Sequence, residues 1–313
     1  MTDAEPGSAP MDRPRIIYLA GAQHCGSTML DAILGNAPGA RSLGEVGGFH
    51  RYRDATECDC GEPPASCAPC SAATAALASI GQLDDLHRLS PLPLKERRAH
   101  WTLLGSRVRV AYARVAVTIF GAVARTTEST VLVDSSKNAS RAAALVHDSG
   151  FDVRVVHIVR DGRGYLRSKQ RRADGRRLPP TPIALAPWLV KNLLIGVLLR
   201  ARVPSDRYLL CRYEDLARDP DAELQRIGAF AGLNTSGLAG AATGDGLPRR
   251  HLFEPRRRVD YRLVRLDPSR LGGQRESDAR NLGYWLSGGF VSALWGYDRR
   301  QRYLDRSDGT TGS

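Results

Sequence analysis

Lysine is nearly missing from this chain of 313 residues: of 45 basic side chains only Lys95, Lys137, Lys169 and Lys191 are lysines, and 41 are arginines. So one-sided a choice reads as coding bias, which removes the arginine count as an argument for nucleic-acid binding. Aromatic residues are scarce, at 6 %, so a stacking platform for single-stranded nucleic acid is not expected. Long apolar runs are scarce too. The longest, Ile183 to Leu199, is interrupted by Pro187, Lys191 and Asn192 and does not read as a membrane span. No signal-peptide core is visible, because the run Ile16 to Ala20 is far too short for one. A cytoplasmic location is therefore expected, and there the six cysteines would be reduced thiols or metal ligands rather than a disulfide framework.

What is present is an ordinary globular composition, with 42 % hydrophobic residues, which excludes a disordered tail, a collagen or a coiled-coil rod. Acidic residues number 33 against the 45 bases, a net charge of +12. Such an excess favours polyanionic partners, phosphorylated small molecules included.

Residues 1–14 and 301–313 are expected to be a disordered leader and tail around one domain over 15–300, with a cysteine-rich insertion at 51–70. Arg15 to Ala20 is a short β-branched, apolar run ending at a glycine, which predicts a buried strand. A helix over Ser27–Leu34 follows, stopped by Gly35-Asn36-Ala37-Pro38. From Ser71 to Thr127 the pattern is mostly helical, broken at Pro91 and Pro93, with a long helix from about Lys95 to Arg125. Three strand–helix pairs come next: a strand over 130–134 with a helix over 141–148, a strand over 153–159 with a basic helix over 164–172, and a strand over 207–212 with a helix over 221–232. Largely apolar strands alternating with helices predict an α/β fold, a parallel sheet flanked by helices. Residues 236–281 are Arg/Gly-rich and poorly periodic, either an ordered lid over a site or a mobile loop.

The first strand runs into Gly21-Ala-Gln-His-Cys-Gly26-Ser27-Thr28 and then the helix. Backbone N–H groups converge at such a helix N-terminus, where the macrodipole also favours negative charge. The glycines are four residues apart, as in a P-loop, but the lysine that reaches the β- and γ-phosphates is missing and Ser27 stands in its place. The loop is suited to one phosphate-like group and poorly equipped for a triphosphate and its Mg²⁺. A second anion grip is predicted at the strand ending on Arg160, with Ser168 eight residues later. An arginine at a strand's carboxyl end projects into the crevice where open α/β sheets bind ligands, and its planar fork suits phosphate. The bland alternative is a surface ion pair between Arg160 and Asp161.

Five segments in order, GAQHCGSTML at 21–30, RSLGEV at 41–46, VDSSK at 133–137, IVRDGRGYLRS at 158–168 and CRYEDLARDP at 211–220, together resemble the sulfotransferases that use 3′-phosphoadenosine 5′-phosphosulfate (PAPS). The nearest pattern is the bacterial carbohydrate-type and tyrosylprotein-type branch, and the segments are spread over residues 15–220, about two thirds of the chain. The resemblance implies P-loop-kinase-like topology, with Gly21, Gln23, His24, Cys25, Gly26, Ser27 and Thr28 on the 5′-phosphosulfate and Arg160 and Ser168 on the 3′-phosphate. It implies Glu45 as the base for the acceptor proton and Lys137 near the transferred sulfonate, with Asp134 orienting Lys137 or the nearby loop. His24 stands where relatives place Arg or Lys. Two readings follow: a protonated, catalytic His24, or a lining His24 with Lys137 and the loop amides carrying the charge. Arg256, in the cluster Arg256-Arg257-Arg258 near His251, falls where relatives place a further 3′-phosphate contact. The helix over 183–199 is expected to be a core helix beside the acceptor cleft. The acceptor itself is a hydroxyl of a small molecule, lipid or carbohydrate, and no nucleic-acid partner is expected.

Cys25 sits at a helix N-terminus, where a thiol can become reactive, but no His/Asn partner motif accompanies it, and a small residue tolerated in the turn is the simpler reading. Cys58-x-Cys60-x6-Cys67-x2-Cys70 has the count for a tetrahedral structural zinc, with a first pair spaced by one residue rather than the usual two to four; reduced or paired thiols are the alternative. Two other functions compete for the chain as a whole. A nucleotide kinase-like P-loop protein is disfavoured by the missing loop lysine. A non-catalytic nucleotide-binding module would exploit the positive charge alone.

Overall fold

The computed structural model describes residues 13–52, 58, 60, 62–89, 106–173, 176–248, 253, 263–266 and 278–297. Its centre is a parallel sheet of β1 (Arg15–Gly21), β2 (Ala40–Gly44), β3 (Val131–Lys137), β4 (Val153–Val159) and β5 (Tyr208–Arg212), in the order β2-β3-β1-β4-β5. β1 lies in the middle, in register Ile17↔Val133 on one side and Ile17↔Arg154 on the other. Buried on both faces, the inner strands read as the continuous Ile/Val runs noted in the sequence.

Helix α1 (Ser27–Leu34) follows β1 over the predicted residues. α2 (Ala68–Ser79) and α3 (Leu83–Leu89) lead toward α4 (Ser106–Thr127), the described part of the predicted long helix. α5 (Ala139–Asp148) joins β3 to β4, and α6 (Gly162–Arg171) follows β4. α7 (Thr181–Leu193) continues as a π-helical stretch to Leu199. α8 (Tyr213–Arg218) follows β5 directly, and α9 (Pro220–Ala231) closes on Gly232 at φ 67. One face of the sheet packs under α4 and α5, around Tyr18, Phe120 and Leu145. The other packs on α1 and α9, around Ile17, Leu30 and Ile227.

Two sequence-based expectations are corrected. No strand was predicted at 40–44, where the segment Ala-Arg-Ser-Leu-Gly has no β-branched residue; it pairs with β3 at the sheet edge, held by Ser42 Oγ donating to Asp31 on α1. The run to Leu199 was predicted as a core helix, but only one side of it is buried. Ala184, Leu185, Trp188, Asn192, Ile195 and Leu199 face inward, while Ile183, Val190, Val197 and Leu198 are exposed. By length and composition alone, Thr181–Leu199 is long and apolar enough to cross a membrane. Pro187 and Lys191 do not interrupt the helix, and Asn192 is absorbed by a hydrogen bond with His157.

Where β3 ends, a charged group is fully buried. Asp134 is 0 % exposed, and its Oδ2 accepts from Arg141 Nε at 2.8 Å on α5. Arg141 in turn donates to the Tyr112 hydroxyl and lies 5.6 Å over the Phe120 ring. Burial opposes the charge on the Arg141 guanidinium, but the Asp134 carboxylate raises its already high pKa, so the guanidinium stays charged. Removing one member leaves the other uncompensated, which costs about 3–5 kcal/mol. Urea denaturation of Arg141→Met should report a loss of that order, and Asp134→Leu/Arg141→Met should recover part of it; a single-mutant loss under about 1 kcal/mol would show that the pair does not hold the β3 end.

Candidate functional site

Every charged candidate within the described residues sits at a carboxyl end of the parallel sheet, the place where ligand crevices form in open α/β folds. β1 delivers the loop Gly21–Ser27. Gly21 must lack a Cβ, which would meet Ile158 O at 2.5 Å and Cys25 Sγ at 2.8 Å. Gly26, at φ 96, is the N-cap of α1 and its own missing Cβ leaves room for the Tyr213 ring 2.5 Å away. The N-cap glycine gives α1 no side-chain cap, and the positive end of a helix N-terminus favours an anion. Gln23 is exposed, His24 and Thr28 are half-buried, and Ser27 is buried. Cys25 is buried beneath the loop, and burial pushes its thiol up rather than down, against a nucleophilic role.

β4 delivers Arg160, which is nine-tenths buried. Its Nη1 donates to His24 O at 3.3 Å, and its guanidinium stacks 4.3 Å over the Tyr213 ring. Its Nε is buried with no hydrogen-bond partner among the described residues, a donor waiting for an acceptor. The predicted alternative, an Arg160–Asp161 ion pair, is replaced by another arrangement. Asp161 caps α6 through Arg163 N–H at 2.7 Å and pairs with the Arg163 guanidinium at 2.6 Å. Trp188 Nε1 fixes Arg160 O at 3.0 Å, and Glu214 Oε1 accepts from Asp161 N–H at 3.0 Å. Burial, and then the nearby Asp161, pushes the Glu214 carboxyl up to about 7. Gly164 keeps the space beside Arg160 open, since a Cβ there would lie 2.9 Å from Nε. Ser168 lies half-buried on the same helix, α6.

β2 and β3 deliver the other half. Glu45 follows β2 and Lys137 ends β3, and the Lys137 ammonium donates to Glu45 Oε1. Their neighbourhood is fixed from behind by Asp134, whose Oδ1 accepts from Ser136 N–H at 2.9 Å and from Ser136 Oγ at 2.5 Å. Ser136 Oγ then accepts from Gly47 N–H at 2.9 Å, tying the turn after Glu45 to the turn before Lys137. Asp134 therefore positions the loop, one of the two roles the resemblance implied. Lys137, at φ 69, and His24, at φ 61, are two of the three non-glycine residues with positive φ among the described residues. Strain of this kind costs on the order of 1–3 kcal/mol and concentrates at working sites.

The sequence missed the packing partners that hold these groups: Tyr213 between loop and arginine, Tyr165 with its ring 5.8 Å from His24, and Trp188 behind Arg160. Tyr213 and Tyr165 had a signal, inside the CRYEDLARDP and IVRDGRGYLRS segments. Arg256 and His251 lie outside the described residues. His24 is surrounded by cations. Burial first, then Arg172, Arg160, Lys169 and Lys137, lowers it from 6.5 to about 4. Without an anion present the ring is neutral at physiological pH, which favours the lining reading over the protonated one.

Comparison with known proteins bears on the family and the fold. The model of the Sulfotransferase family matches residues 14–237. Mouse carbohydrate sulfotransferase 5 is 32 % identical over 108 residues, 28 % of this chain; the chain spans only about a quarter, 27 %, of that relative's length. The sulfotransferase domain of the Synechococcus olefin synthase superposes with a TM-score of 0.51 at 21 % identity, covering 95 % of this chain and 99 % of that one. A sulfotransferase from Mycobacterium avium gives a TM-score of 0.43 at 19 % identity over 74 % of this chain and 67 % of the other. The first of these shows the shared P-loop-kinase-like fold.

An NMR titration of ring protons, with His24→Asn used for assignment, should place the His24 midpoint near 4, as its burial and cationic surroundings require. A midpoint at or above 6.5 would mean that neither burial nor those cations act on the ring.

Proposed function

Since the chain belongs to the sulfotransferase family, we propose that it moves a sulfonate group from PAPS to a hydroxyl of a small-molecule, lipid or carbohydrate acceptor. The observation that carries this reading is Arg160: a nine-tenths buried guanidinium with an unpartnered Nε, touching the backbone of an uncapped, glycine-bracketed loop. Two anion grips so close together fit a nucleotide with a short 5′ substituent and a separate 3′-phosphate, and not a triphosphate that needs a loop lysine. In this reading Gly21, Gln23, His24, Cys25, Gly26, Ser27 and Thr28 line the 5′ end, and Arg160 and Ser168 take the 3′-phosphate.

The chemistry resembles phosphoryl transfer: the acceptor oxygen bonds to sulfur as the sulfur–oxygen bond to the 5′-phosphate breaks, and the phosphate leaves with the electron pair. The protein's work is positioning and charge stabilisation. Lys137 neutralises charge on the sulfonate side. In the ligand-free arrangement that ammonium is occupied by Glu45; a donor's anionic oxygens compete for it, and the released carboxylate is then free to take the acceptor's proton. His24, neutral on its own, contributes a hydrogen bond. Its position among four cations also means that a bound bisphosphate raises its pKa.

Calorimetric titration with the product nucleotide, 3′-phosphoadenosine 5′-phosphate, tests the nucleotide half of this reading. Arg160→Ala should weaken binding by about 2 kcal/mol, roughly thirtyfold, the effect of losing a charge-assisted hydrogen-bond donor. Unchanged affinity would remove Arg160 from the site. Glu45→Ala tests the other half: nucleotide affinity should stay within about twofold while transfer of labelled sulfonate to acceptors in a cell extract falls by about 10²–10⁴. Loss of nucleotide binding in that variant would count against Glu45 as the base.

A further inference from the structure

The cysteine-rich insertion plays no part in the chemistry above, yet its thiols converge. Sγ atoms of Cys58, Cys60 and Cys67 lie within 4.8 Å of one another, and Cys58 Sγ is 3.7 Å from Cys70 Sγ. In a tetrahedral tetrathiolate site with zinc–sulfur bonds of about 2.3 Å, neighbouring sulfurs stand about 3.8 Å apart. We propose that Cys58, Cys60, Cys67 and Cys70 form a closed structural site for a zinc-class divalent cation, clamping the segment downstream of Glu45 onto the start of α2.

Local structure supplies the ligands from two short elements. Cys67 is the N-cap of α2 and Cys70 its third residue, so both thiols belong to one helical turn; Pro69 fixes that turn, and no side-chain hydrogen bond caps it. The positive end of the helix dipole favours thiolate at both positions. Cys58 N–H donates to Glu62 O at 2.8 Å and Cys67 N–H to Pro63 O at 2.9 Å. Cys58, Cys67 and Cys70 are buried, and Cys60 closes the cluster from the solvent side. A closed set of four protein ligands is the arrangement of structural rather than catalytic zinc.

The chemistry of the thiols agrees. Thiol ligands hold a metal as thiolates, so binding releases protons and tightens as pH rises. The three buried cysteines share one apolar core with Phe49 and Phe253, whose rings meet edge to face at 5.1 Å. Phe49 closely follows Glu45 and Gly47 in the chain, so the cation would anchor the strand-end turn that carries Glu45. Cys25 and Cys211 lie in the core on the opposite face of the sheet and serve as thiols outside the cluster.

The test uses the full chain purified without chelator. Mass-spectrometric metal analysis should find one zinc per chain, and cobalt exchange should give the intense visible bands of a tetrahedral tetrathiolate. Chelator competition should require more chelator as pH rises. Cys60→Ser, at the exposed position, keeps the buried ligands and is the variant expected to fold. Loss of an outer-shell partner alone weakens metal sites by about 10–100-fold, so its zinc affinity should fall at least about tenfold. Substoichiometric metal with six free thiols, two or four thiols missing as disulfides, or a Cys60→Ser variant of unchanged affinity would each overturn the proposal.

Discussion

The Asp134–Arg141 pair at the end of β3 is the constraint on which the rest of the site depends. Its two charges are removed from water, and a buried, uncompensated carboxylate would be costly. One carboxylate oxygen satisfies the arginine; the other organises Ser136, and Ser136 holds Gly47. A buried electrostatic requirement is thereby converted into a fixed relation between two strand-end turns. Glu45 and Lys137 meet because of that relation, although 92 residues separate them.

The other half of the crevice follows the opposite principle: charge is concentrated and left without a counter-charge. Asp161, the nearest acid to Arg160 in sequence, is consumed by the helix N-terminus and by Arg163. Arg160 is therefore left facing the loop, and burial, then Arg172, Arg160, Lys169 and Lys137, lowers His24 to about 4. A patch that disfavours a proton on imidazole favours an anion for the same electrostatic reason.

A different surface is built without charge. One side of α7 and its π-helical continuation packs under Trp188 and Trp295, whose rings meet at 5.6 Å. The other side presents Ile183, Val190, Val197 and Leu198, and Leu286, Phe290 and Leu294 from the C-terminal segment are exposed as well. The helix thus backs the active crevice through Trp188 and Arg160 O while leaving an apolar surface outward.

The sequence by itself determined the alternation of strands and helices, the glycine-bracketed loop and the strand-end positions of Arg160 and Lys137. These are local properties: β-branched runs, glycine at tight turns and residue type at fixed spacing act over a few residues. It also exposed the missing loop lysine, an absence that needs no fold to be read. Only the tertiary structure decided that Ala40–Gly44 is a strand, because an edge segment without β-branched residues is made a strand by its partner β3 and not by propensity. Tertiary structure alone decided that Asp161 belongs to Arg163, that Glu45 is held by Lys137, and that Tyr213 stacks on Arg160. Which of many arginines is free to face a ligand depends on where every nearby carboxylate is spent, and that is settled by contacts between segments far apart in the chain.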